Sequence, residues 1–162
     1  MTTAIYPGSF DPITYGHVDL VKRGLAITDR LIVGVLGNPS KRPLFTTAER
    51  LDQVRRAVGG LPRVRVVAFD GLLVDFLRAS RAQIILRGLR AVSDFEYEFQ
   101  LALMNRRLNR KAETVFLMPA EPYTYLSSSI VKEIARFGGN VRGLVPPHVA
   151  TALRRAHRPA RD

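Results

Sequence analysis

The stretch that decides the fold is YPGSFDPITYGH, residues 6–17, which separates two segments of different periodicity. Thr3, Ala4 and Ile5 before it are typical of a strand end, and the residues from Val18 onward are typical of a helix. A plain connection between the two needs about two to six polar residues. Prolines, two glycines and a histidine at a helix start exceed that need, so the role of this turn depends on the segments that fold beside it.

The composition favours one folded domain over residues 1–162. Of the 162 residues, 46% are hydrophobic, which is enough for a packed core. The chain has no cysteine, so disulfides and thiolate sites are excluded, and its three histidines disfavour a histidine-rich metal site. No signal peptide is visible at the start, and no stretch approaches the roughly 20 apolar residues of a membrane span. We therefore expect a cytoplasmic protein without a membrane partner.

The charge is strongly positive, with 25 Lys and Arg against 14 Asp and Glu, a net +11. Such a balance favours anionic partners, which include nucleic acids, nucleotides and phosphorylated metabolites. Part of the excess lies in a C-terminal segment that we interpret as a basic, flexible tail from about residue 154. Its arginines are Arg154, Arg155, Arg158 and Arg161.

Short apolar runs alternate with helical patterns along the whole chain. The runs are rich in Val, Ile and Leu, as strands buried on both faces are. The strand candidates are Thr3–Tyr6, Leu31–Leu36, Val64–Ala68, Gln83–Leu86 and Thr114–Met118. With the helices between and after them, the order is β-α-β-α-β-α-β-α-β-α-α. This order predicts an α/β domain with a five-stranded parallel sheet and helices on both faces.

Several helix starts are indicated by capping residues. Thr46 and Glu49 form a capping-box pattern, and Ser93 and Glu96 form another. Asp70 stands before an apolar run as a candidate N-cap. PPHVATALRRA, near the C-terminus, has proline at its first positions, where helices accept it.

The helix around Glu98 carries two apolar stripes. One contains Tyr97, Leu101, Met104 and Leu108, and the other contains Phe95, Phe99 and Ala102. One stripe can pack on the sheet, and the second needs another partner. That partner is either another subunit or the same domain, if the helix is sunk deep within it.

Polar residues follow the strands at the ends where parallel sheets bind ligands. Lys41 and Arg42 follow the second strand, and Arg87 and Arg90 follow the fourth. A run of hydroxyl residues, YLSSS, follows the fifth. These groups predict a cationic cleft that suits phosphates. Neither G-x-G-x-x-G nor G-x-x-x-x-G-K-[ST] is present, which disfavours dinucleotide dehydrogenases and P-loop kinases.

Two helix starts are candidates for the anion site instead, the alternative being that His17 belongs to an ordinary capping turn and the serines to a Ser-rich turn. Gly16 permits close approach of a ligand, and His17 adds a side-chain donor to the free N–H groups of a first turn. Ser127, Ser128 and Ser129 precede the helix that is predicted after the fifth strand, and three serines are more than capping alone needs. We place Lys132 in the first turn of that helix, where Glu133 in part, or better a bound phosphate, would offset its charge.

Four segments resemble the phosphopantetheine adenylyltransferase family: YPGSFDPITYGH, PSKRPLF, LRGLRAVSDFEYEFQLALMNR and LSSSIVKE. The resemblance covers the chain from Ala4 to about Leu153. The Gly-His turn is shared by a wider nucleotidyltransferase superfamily, whereas RGLRAVSDFEYE is specific to this family. The resemblance implies a Rossmann-like fold, a homohexamer, and adenylyl transfer from ATP with Mg²⁺ to 4′-phosphopantetheine. It also implies feedback binding of coenzyme A.

The resemblance also implies roles for individual residues. His17 is the catalytic residue that stabilises the transition state, and Ser9 and Phe10 meet both substrates. Serine replaces the family's usual threonine at position 9. The acceptor is contacted by Lys41 and Arg87 at its phosphate and by Leu73 along its pantetheine arm. The remaining ATP-site residues are Gly88, Leu89, Arg90, Glu98, Tyr123, Thr124, Tyr125, Leu126, Ser127, Ser128 and Ser129. Mg²⁺ is held mainly by ATP oxygens and water, with no protein ligand assigned.

Two other function classes compete with this one. A nucleic-acid-binding module would explain the charge, but it requires aromatic residues on a sheet face or a recognition helix. The strands here carry Val, Ile and Leu instead, so no nucleic-acid partner is expected. A related adenylyltransferase acting on a mononucleotide or a glycerol phosphate shares the Gly-His turn and the serines, but RGLRAVSDFEYE argues against it.

Overall fold

The computed structural model describes residues 1–37 and 42–157. Its sheet has five parallel strands in the order β3-β2-β1-β4-β5, so the predicted parallel sheet is confirmed. The strands are β1 Thr3–Gly8, β2 Arg30–Leu36, β3 Val64–Phe69, β4 Ile84–Gly88 and β5 Glu113–Leu117. Each overlaps its predicted run, because a short segment rich in Val, Ile and Leu buries its side chains on both sides when it forms a strand of a sheet covered on both faces.

Six α-helices lie within the described residues. They are α1 Tyr15–Ile27, α2 Thr47–Val58, α3 Leu73–Ala79, α4 Val92–Leu108, α5 Ser128–Arg136 and α6 Pro147–Ala156. A 3-10 helix, Glu121–Tyr123, precedes α5. Proline opens α6, as predicted. Arg154 and Arg155 belong to this helix rather than to the predicted tail, and Arg158 and Arg161 lie outside the described residues.

Helices cover both faces of the sheet, which confirms the Rossmann-like α/β prediction. Ala4 and Tyr6 of β1 point into the larger core with Val21 of α1 and Leu153 of α6. Ile5, between them, points to the opposite face. There it belongs to a smaller core that contains Leu77 of α3. This alternation follows from the two-residue period of a strand.

Capping predictions succeeded in one case and failed in two. Thr46 and Glu49 form the predicted capping box at α2. Asp70 is not an N-cap, because Gly71 turns the chain at φ +81° and α3 starts only after Leu72. Ser93 and Glu96 form no capping box. The N-cap is Ala91, so the side chain of Ser93 stands two positions too late to cap the helix.

A crevice opens between β1 and β4, where the strand order reverses. These strands pair only at Ala4 with Ile84 and Ile5 with Ile85. In contrast, β1 and β2 pair at six successive positions. Beyond Ile5 the first strand therefore diverges from β4. The carboxyl ends of the two strands become the walls of the crevice expected at a topological switch point.

Helix α4 packs only loosely in the single chain. Of its 17 residues, Glu98 alone is buried. Both apolar stripes remain largely in solvent: Tyr97 is 63% exposed, Met104 53% and Phe99 47%. The alternative that the helix is sunk deep in the domain is therefore wrong for the isolated chain, whereas Phe95 of the second stripe does meet the sheet, with its ring centroid 6.3 Å from that of Phe116 in β5.

Candidate active site

A cleft of about 430 Å³ occupies the crevice between β1 and β4. We call it the first cavity. Twelve of the residues predicted from the sequence line it: Ser9, Phe10, His17, Arg87, Gly88, Arg90, Glu98, Tyr123, Leu126, Ser127, Ser128 and Ser129. They come from the loop after β1, from α1, from β4 and the loop after it, from α4, and from the segment between β5 and α5 together with the first two residues of α5. The topology thus brings together residues that are up to 120 positions apart in the chain.

A second cavity of about 430 Å³ adjoins the first on the side of α3. The two cavities share Ser9, Arg87 and Glu98 as lining residues, together with Pro7 and Gly8. Leu73, predicted for the acceptor arm, lines only this second cavity. Asn105 and Thr114 also line it and were missed by the sequence analysis. Nothing in the sequence distinguished them from ordinary polar residues of a helix and a strand.

Three predicted residues lie outside both cavities. The backbone N–H of Leu89 donates to the carbonyl of Leu117 in β5, so Leu89 continues the hydrogen bonding between the two neighbouring strands. Tyr125 is 88% exposed, and Thr124 ends the 3-10 helix. Lys41, the predicted phosphate contact, lies outside the described residues.

The imidazole of His17 is held in one orientation and one tautomer. Thr14 is the N-cap of α1, and its backbone N–H donates to Nδ1 of His17 at 2.9 Å. Nδ1 is therefore the unprotonated nitrogen, which leaves Nε2–H as the donor. Burial, aided by the charge of Arg90, lowers the pKa of His17 to about 4. At neutral pH the cleft consequently contains a neutral, oriented hydrogen-bond donor.

Arg87 and Glu98 form a two-pronged ion pair between the cavities. Nε and Nη2 of Arg87 donate to the two carboxylate oxygens at 2.7 and 2.6 Å. Nη1 donates to the carbonyl of Pro7 at 3.2 Å, across the opening between β4 and β1. Burial would lower the pKa of Arg87, but its hydrogen bonds to Glu98 and the charge of Glu98 raise it overall. The guanidinium is thus fixed at the junction of the two cavities.

Two contacts fasten the segment before α5 to the rest of the cleft. Arg90 donates from Nη1 to the carbonyl of Leu126 at 2.9 Å. On the other side, the carboxylate of Asp19 accepts from the backbone N–H of Ala120 at 2.9 Å. Asp19 was missed, because on α1 it has the spacing of an ordinary helix-surface pair with Arg23. Together these contacts define the wall of the first cavity that contains Tyr123.

The three serines have separate structural positions. Ser127 is the N-cap of α5 and accepts from the N–H of Ile130. Ser128 donates from its hydroxyl to the carbonyl of Pro12 at 2.7 Å. These two and Ser129 line the first cavity at the amino end of α5, where backbone N–H groups favour an anion.

Lys132 is not in the first turn of α5, contrary to the prediction, because the helix begins at Ser128. Its ammonium pairs with the carboxylate of Asp11 at 2.8 Å, rather than with Glu133. Asp11 is 4% exposed and was missed as a site residue. Its partner lies 121 positions away, beyond the reach of any local pattern.

The carboxylates near the cleft are already matched with cations. Glu98, Asp94 and Asp11 face Arg87, Arg90 and Lys132, respectively. Among the described residues, no group of three His, Cys, Asp or Glu side chains is arranged to hold a metal ion. Over the same described ranges, no helix is both long and apolar enough to cross a membrane.

Comparisons with known proteins agree with this geometry. Residues 5–134 match the family model described as Cytidylyltransferase-like. The chain is 57% identical over 152 residues to the phosphopantetheine adenylyltransferase of Anaeromyxobacter dehalogenans, covering 94% of this chain and 93% of that protein. It is 59% identical over 162 residues to the enzyme of the same name from Alkalilimnicola ehrlichii, covering 98% and 93%.

The fold also matches a crystal structure from Vibrio parahaemolyticus, provisionally named a nicotinate-nucleotide adenylyltransferase. The TM-score is 0.70 at 15% identity, over 95% of this chain and 99% of that one, so the likeness concerns the fold alone. The identities above, over nearly the whole length, decide the family. The chain belongs to the phosphopantetheine adenylyltransferase family of nucleotidyltransferases.

Proposed function

We propose that this protein transfers the adenylyl group of ATP to 4′-phosphopantetheine, giving dephospho-coenzyme A and pyrophosphate. The observation that carries the proposal is the pair of adjoining cavities that share Ser9, Arg87 and Glu98. ATP fits the first, which contains a helix N-terminus and three serines. The acceptor arm fits the second, which contains Leu73 and Leu101. The acceptor phosphate then lies at Arg87, where the two cavities meet.

The reaction requires alignment more than proton transfer. A phosphate oxygen of the acceptor attacks the α-phosphorus of ATP, the bond from that phosphorus to the bridging oxygen breaks, and pyrophosphate leaves with the electron pair. The nucleophile is already ionised at neutral pH, because the second pKa of a phosphate monoester is about 6. No general base or covalent intermediate is therefore needed. The protein contributes position and charge.

His17 supplies a hydrogen bond to the transferring group. Because Nδ1 accepts from Thr14, the donor is Nε2–H, and the pKa of about 4 keeps the ring neutral. A neutral donor fixed before the reaction costs no reorganisation when charge moves to the α-phosphate oxygens. The amino end of α5 and its serines hold the phosphates that leave as pyrophosphate.

ATP enters with a divalent cation, as nucleotidyltransferases generally require, and we propose Mg²⁺ in that role. The matched carboxylates of the cleft leave the ion to the phosphate oxygens and water. We also propose that coenzyme A acts as a feedback ligand. It contains both the adenylyl and the pantetheine parts, so it competes with both substrates for the two cavities.

We further propose that the protein assembles as a homohexamer, with α4 in an interface. The exposed apolar side chains of this helix support an interface with another subunit. The number six comes from the family resemblance.

A nucleic-acid module fits less well. The central strands are buried on both faces, from Ala4 to Tyr6 and from Leu31 to Val35, so these strands offer no open face for stacking bases.

The direct test measures pyrophosphate release with ATP, Mg²⁺ and each candidate acceptor. We expect release with 4′-phosphopantetheine and none with nicotinamide mononucleotide or glycerol 3-phosphate. Release with nicotinamide mononucleotide alone would assign the protein to a related activity. Absence of release with every acceptor, together with tight DNA binding, would contradict the proposal in favour of a binding module.

A further inference from the structure

Phe10 adopts a backbone conformation that is unfavourable for its residue type. Its φ is +48°, in the left-handed region that favours glycine. Two other described residues without glycine's freedom, Arg63 and Arg81, also have positive φ, but they lie exposed in turns. Phe10 is 2% exposed and lines the first cavity. Strained backbone at a site persists only where the surroundings hold it in place.

The left-handed turn brings the Phe10 ring against the catalytic imidazole. The ring centroids of Phe10 and His17 are 5.1 Å apart with an interplanar angle of 73°. The other edge of Phe10 meets Tyr6 at 5.4 Å. The ring also folds over Gly8, where an added Cβ would approach it to 3.1 Å. Phe10 and Thr14 thus fix the imidazole of His17 together, one by packing and the other by its hydrogen bond to Nδ1.

Arg50 holds the peptide before Phe10. It lies on α2 with no solvent exposure, and among the described residues its hydrogen-bond acceptors are backbone carbonyls and one hydroxyl, with no carboxylate. Nη1 donates to the carbonyls of Ser9 at 2.8 Å and Leu36 at 2.7 Å. Nε donates to the carbonyl of Phe45 at 3.1 Å. The fully buried guanidinium therefore donates mainly to backbone oxygens. Those of Ser9, Leu36 and Gly37 lie at the carboxyl ends of β1 and β2.

Asp11 holds the peptide after Phe10. Its two carboxylate oxygens accept from the backbone N–H groups of Leu44 at 2.8 Å and Phe45 at 2.9 Å. Arg50 and Asp11 therefore bind the same segment: Arg50 donates to the carbonyl of Phe45, and Asp11 accepts from its N–H. Phe10 lies between the two anchored peptides, so its backbone cannot relax without breaking charged hydrogen bonds.

We propose that Arg50 and Asp11 are positioning residues for adenylyl transfer. They hold Phe10 in its left-handed conformation, and Phe10 holds the imidazole of His17 at the angle from which Nε2–H reaches the α-phosphate. This inference rests on the proposed function for its kinetic consequence, but the geometry of His17 is measurable without any reaction.

The test compares Arg50→Met and Asp11→Asn with Val54→Ala. Val54 is buried on the same helix as Arg50 and touches neither Ser9 nor Phe45 through hydrogen bonds, so its truncation reports lost stability alone. We expect kcat to fall about 10- to 100-fold in the first two variants, as for a small misplacement of a catalytic group, with little change in KM for ATP. Val54→Ala lowers the melting temperature and keeps kcat.

Nitrogen NMR of His17 gives a second readout that needs no turnover. The wild-type ring shows the Nε2–H tautomer alone. In the two positioning variants Phe10 no longer holds the ring against the N–H of Thr14, so Nδ1 loses part of its hydrogen bonding and a mixture of tautomers appears. Unchanged kcat and a single tautomer in Asp11→Asn overturn the proposal, even if Arg50→Met fails to fold. If the wild type releases no pyrophosphate with any acceptor, the proposed function fails, and the NMR comparison still decides whether Arg50 and Asp11 position His17.

Discussion

The loop of residues 9–14 and helix α4 both contribute to the cleft, yet they are stabilised in opposite ways. In the loop, Phe10, Asp11 and Thr14 are each less than 5% exposed. Hydrogen bonds to α2, α5 and the segment at residues 44–45 hold it in place. Helix α4 is nearly three times as long and has a single buried residue, Glu98. Its regular structure is local, whereas the conformation of the loop depends on distant parts of the chain.

This contrast shows that a single chain stabilises the loop of residues 9–14 fully but leaves the apolar side chains of α4 uncovered. The loop satisfies its strained and charged groups internally, so its side of the cleft is finished in a single subunit. Helix α4 leaves Phe95, Phe99 and Met104 in solvent, a patch that soluble proteins cover when they associate. We therefore expect catalytic orientation to belong to the subunit and the placement of α4 to depend on assembly.

The largest expected effect tests the side of the cleft that contains the loop of residues 9–14 and His17. His17→Ala removes a donor that is held in place before the reaction, so kcat and kcat/KM should fall together by about 10²–10³ while ATP affinity changes little. His17→Gln and His17→Asn should recover part of the rate, because a neutral donor remains. Turnover and calorimetric ATP binding measured on the same preparations check this. Wild-type kcat in His17→Ala would reduce the histidine to a capping residue.

The pH dependence distinguishes a donor from a general base. The pKa of His17 is lowered to about 4, so the ring is already neutral above about pH 5 and stays neutral as pH rises. Any limb of kcat near pH 6 should therefore come from the acceptor phosphate, whose second pKa is about 6, so the wild type and the amide variants should share it and be flat above about pH 7. A base role would predict a limb near the ordinary histidine pKa of about 6.5 and no rescue by amides.

Arg87→Ala should weaken acceptor binding and turnover more than ATP binding, because Arg87 lies where the two cavities meet. Loss of a charge-assisted contact costs about 1.5–3 kcal/mol, or roughly 10- to 150-fold. The variant also leaves Glu98 buried without its cation, which destabilises the fold. Adding Glu98→Ala should restore stability without restoring acceptor affinity. Calorimetry that finds unchanged acceptor affinity in Arg87→Ala would contradict the assignment.

The sequence was most informative where structure is locally determined. Five strands, the capping box of Thr46 and Glu49, and the N-cap among the serines follow from short-range patterns. Arg50 was not predicted, because within an amphipathic helix pattern it looks like a surface charge. Phe10 was predicted as a contact but not as a strained residue. Its conformation depends on hydrogen bonds to residues more than 30 positions away, which no local pattern records.

Met104→Glu tests helix α4, whose apolar side chains stay exposed in the single chain. Met104 is 53% exposed on α4, whereas Leu101 of the same stripe lines the second cavity, so Met104 probes assembly without touching the acceptor site. A buried charge in an interface should lower the sedimenting mass while helix content stays intact. Ala26→Glu, at an exposed position of α1, adds the same charge away from α4, so it is the matched control and should assemble normally.

The same variant also sharpens the comparison between the two regions. If the loop of residues 9–14 is complete within one subunit, dissociated Met104→Glu should still bind ATP and still show one tautomer of His17. Loss of the His17 signature on dissociation would show that assembly, rather than Arg50 and Asp11, orients the imidazole. A wild-type chain that sediments as a monomer would remove the need for an interface on α4.

The smallest expected effect concerns Gly16, which lines the first cavity in the first turn of α1. An added Cβ there would meet Thr14 Oγ1 and Tyr123 Cβ at 3.5 Å, an ordinary contact distance, so the protein itself has room for alanine. Alanine also favours a helix over glycine by roughly 0.5–1 kcal/mol. Gly16→Ala should therefore keep or slightly raise the melting temperature. It should weaken ATP binding several-fold, because the methyl group occupies space reserved for the phosphates. Gly60→Ala, at an exposed site with nothing within 4 Å, is the control for a glycine replacement away from the cleft. Unchanged ATP affinity in Gly16→Ala would mean that the glycine serves the turn alone, and that the nucleotide approaches α1 less closely than the cleft suggests.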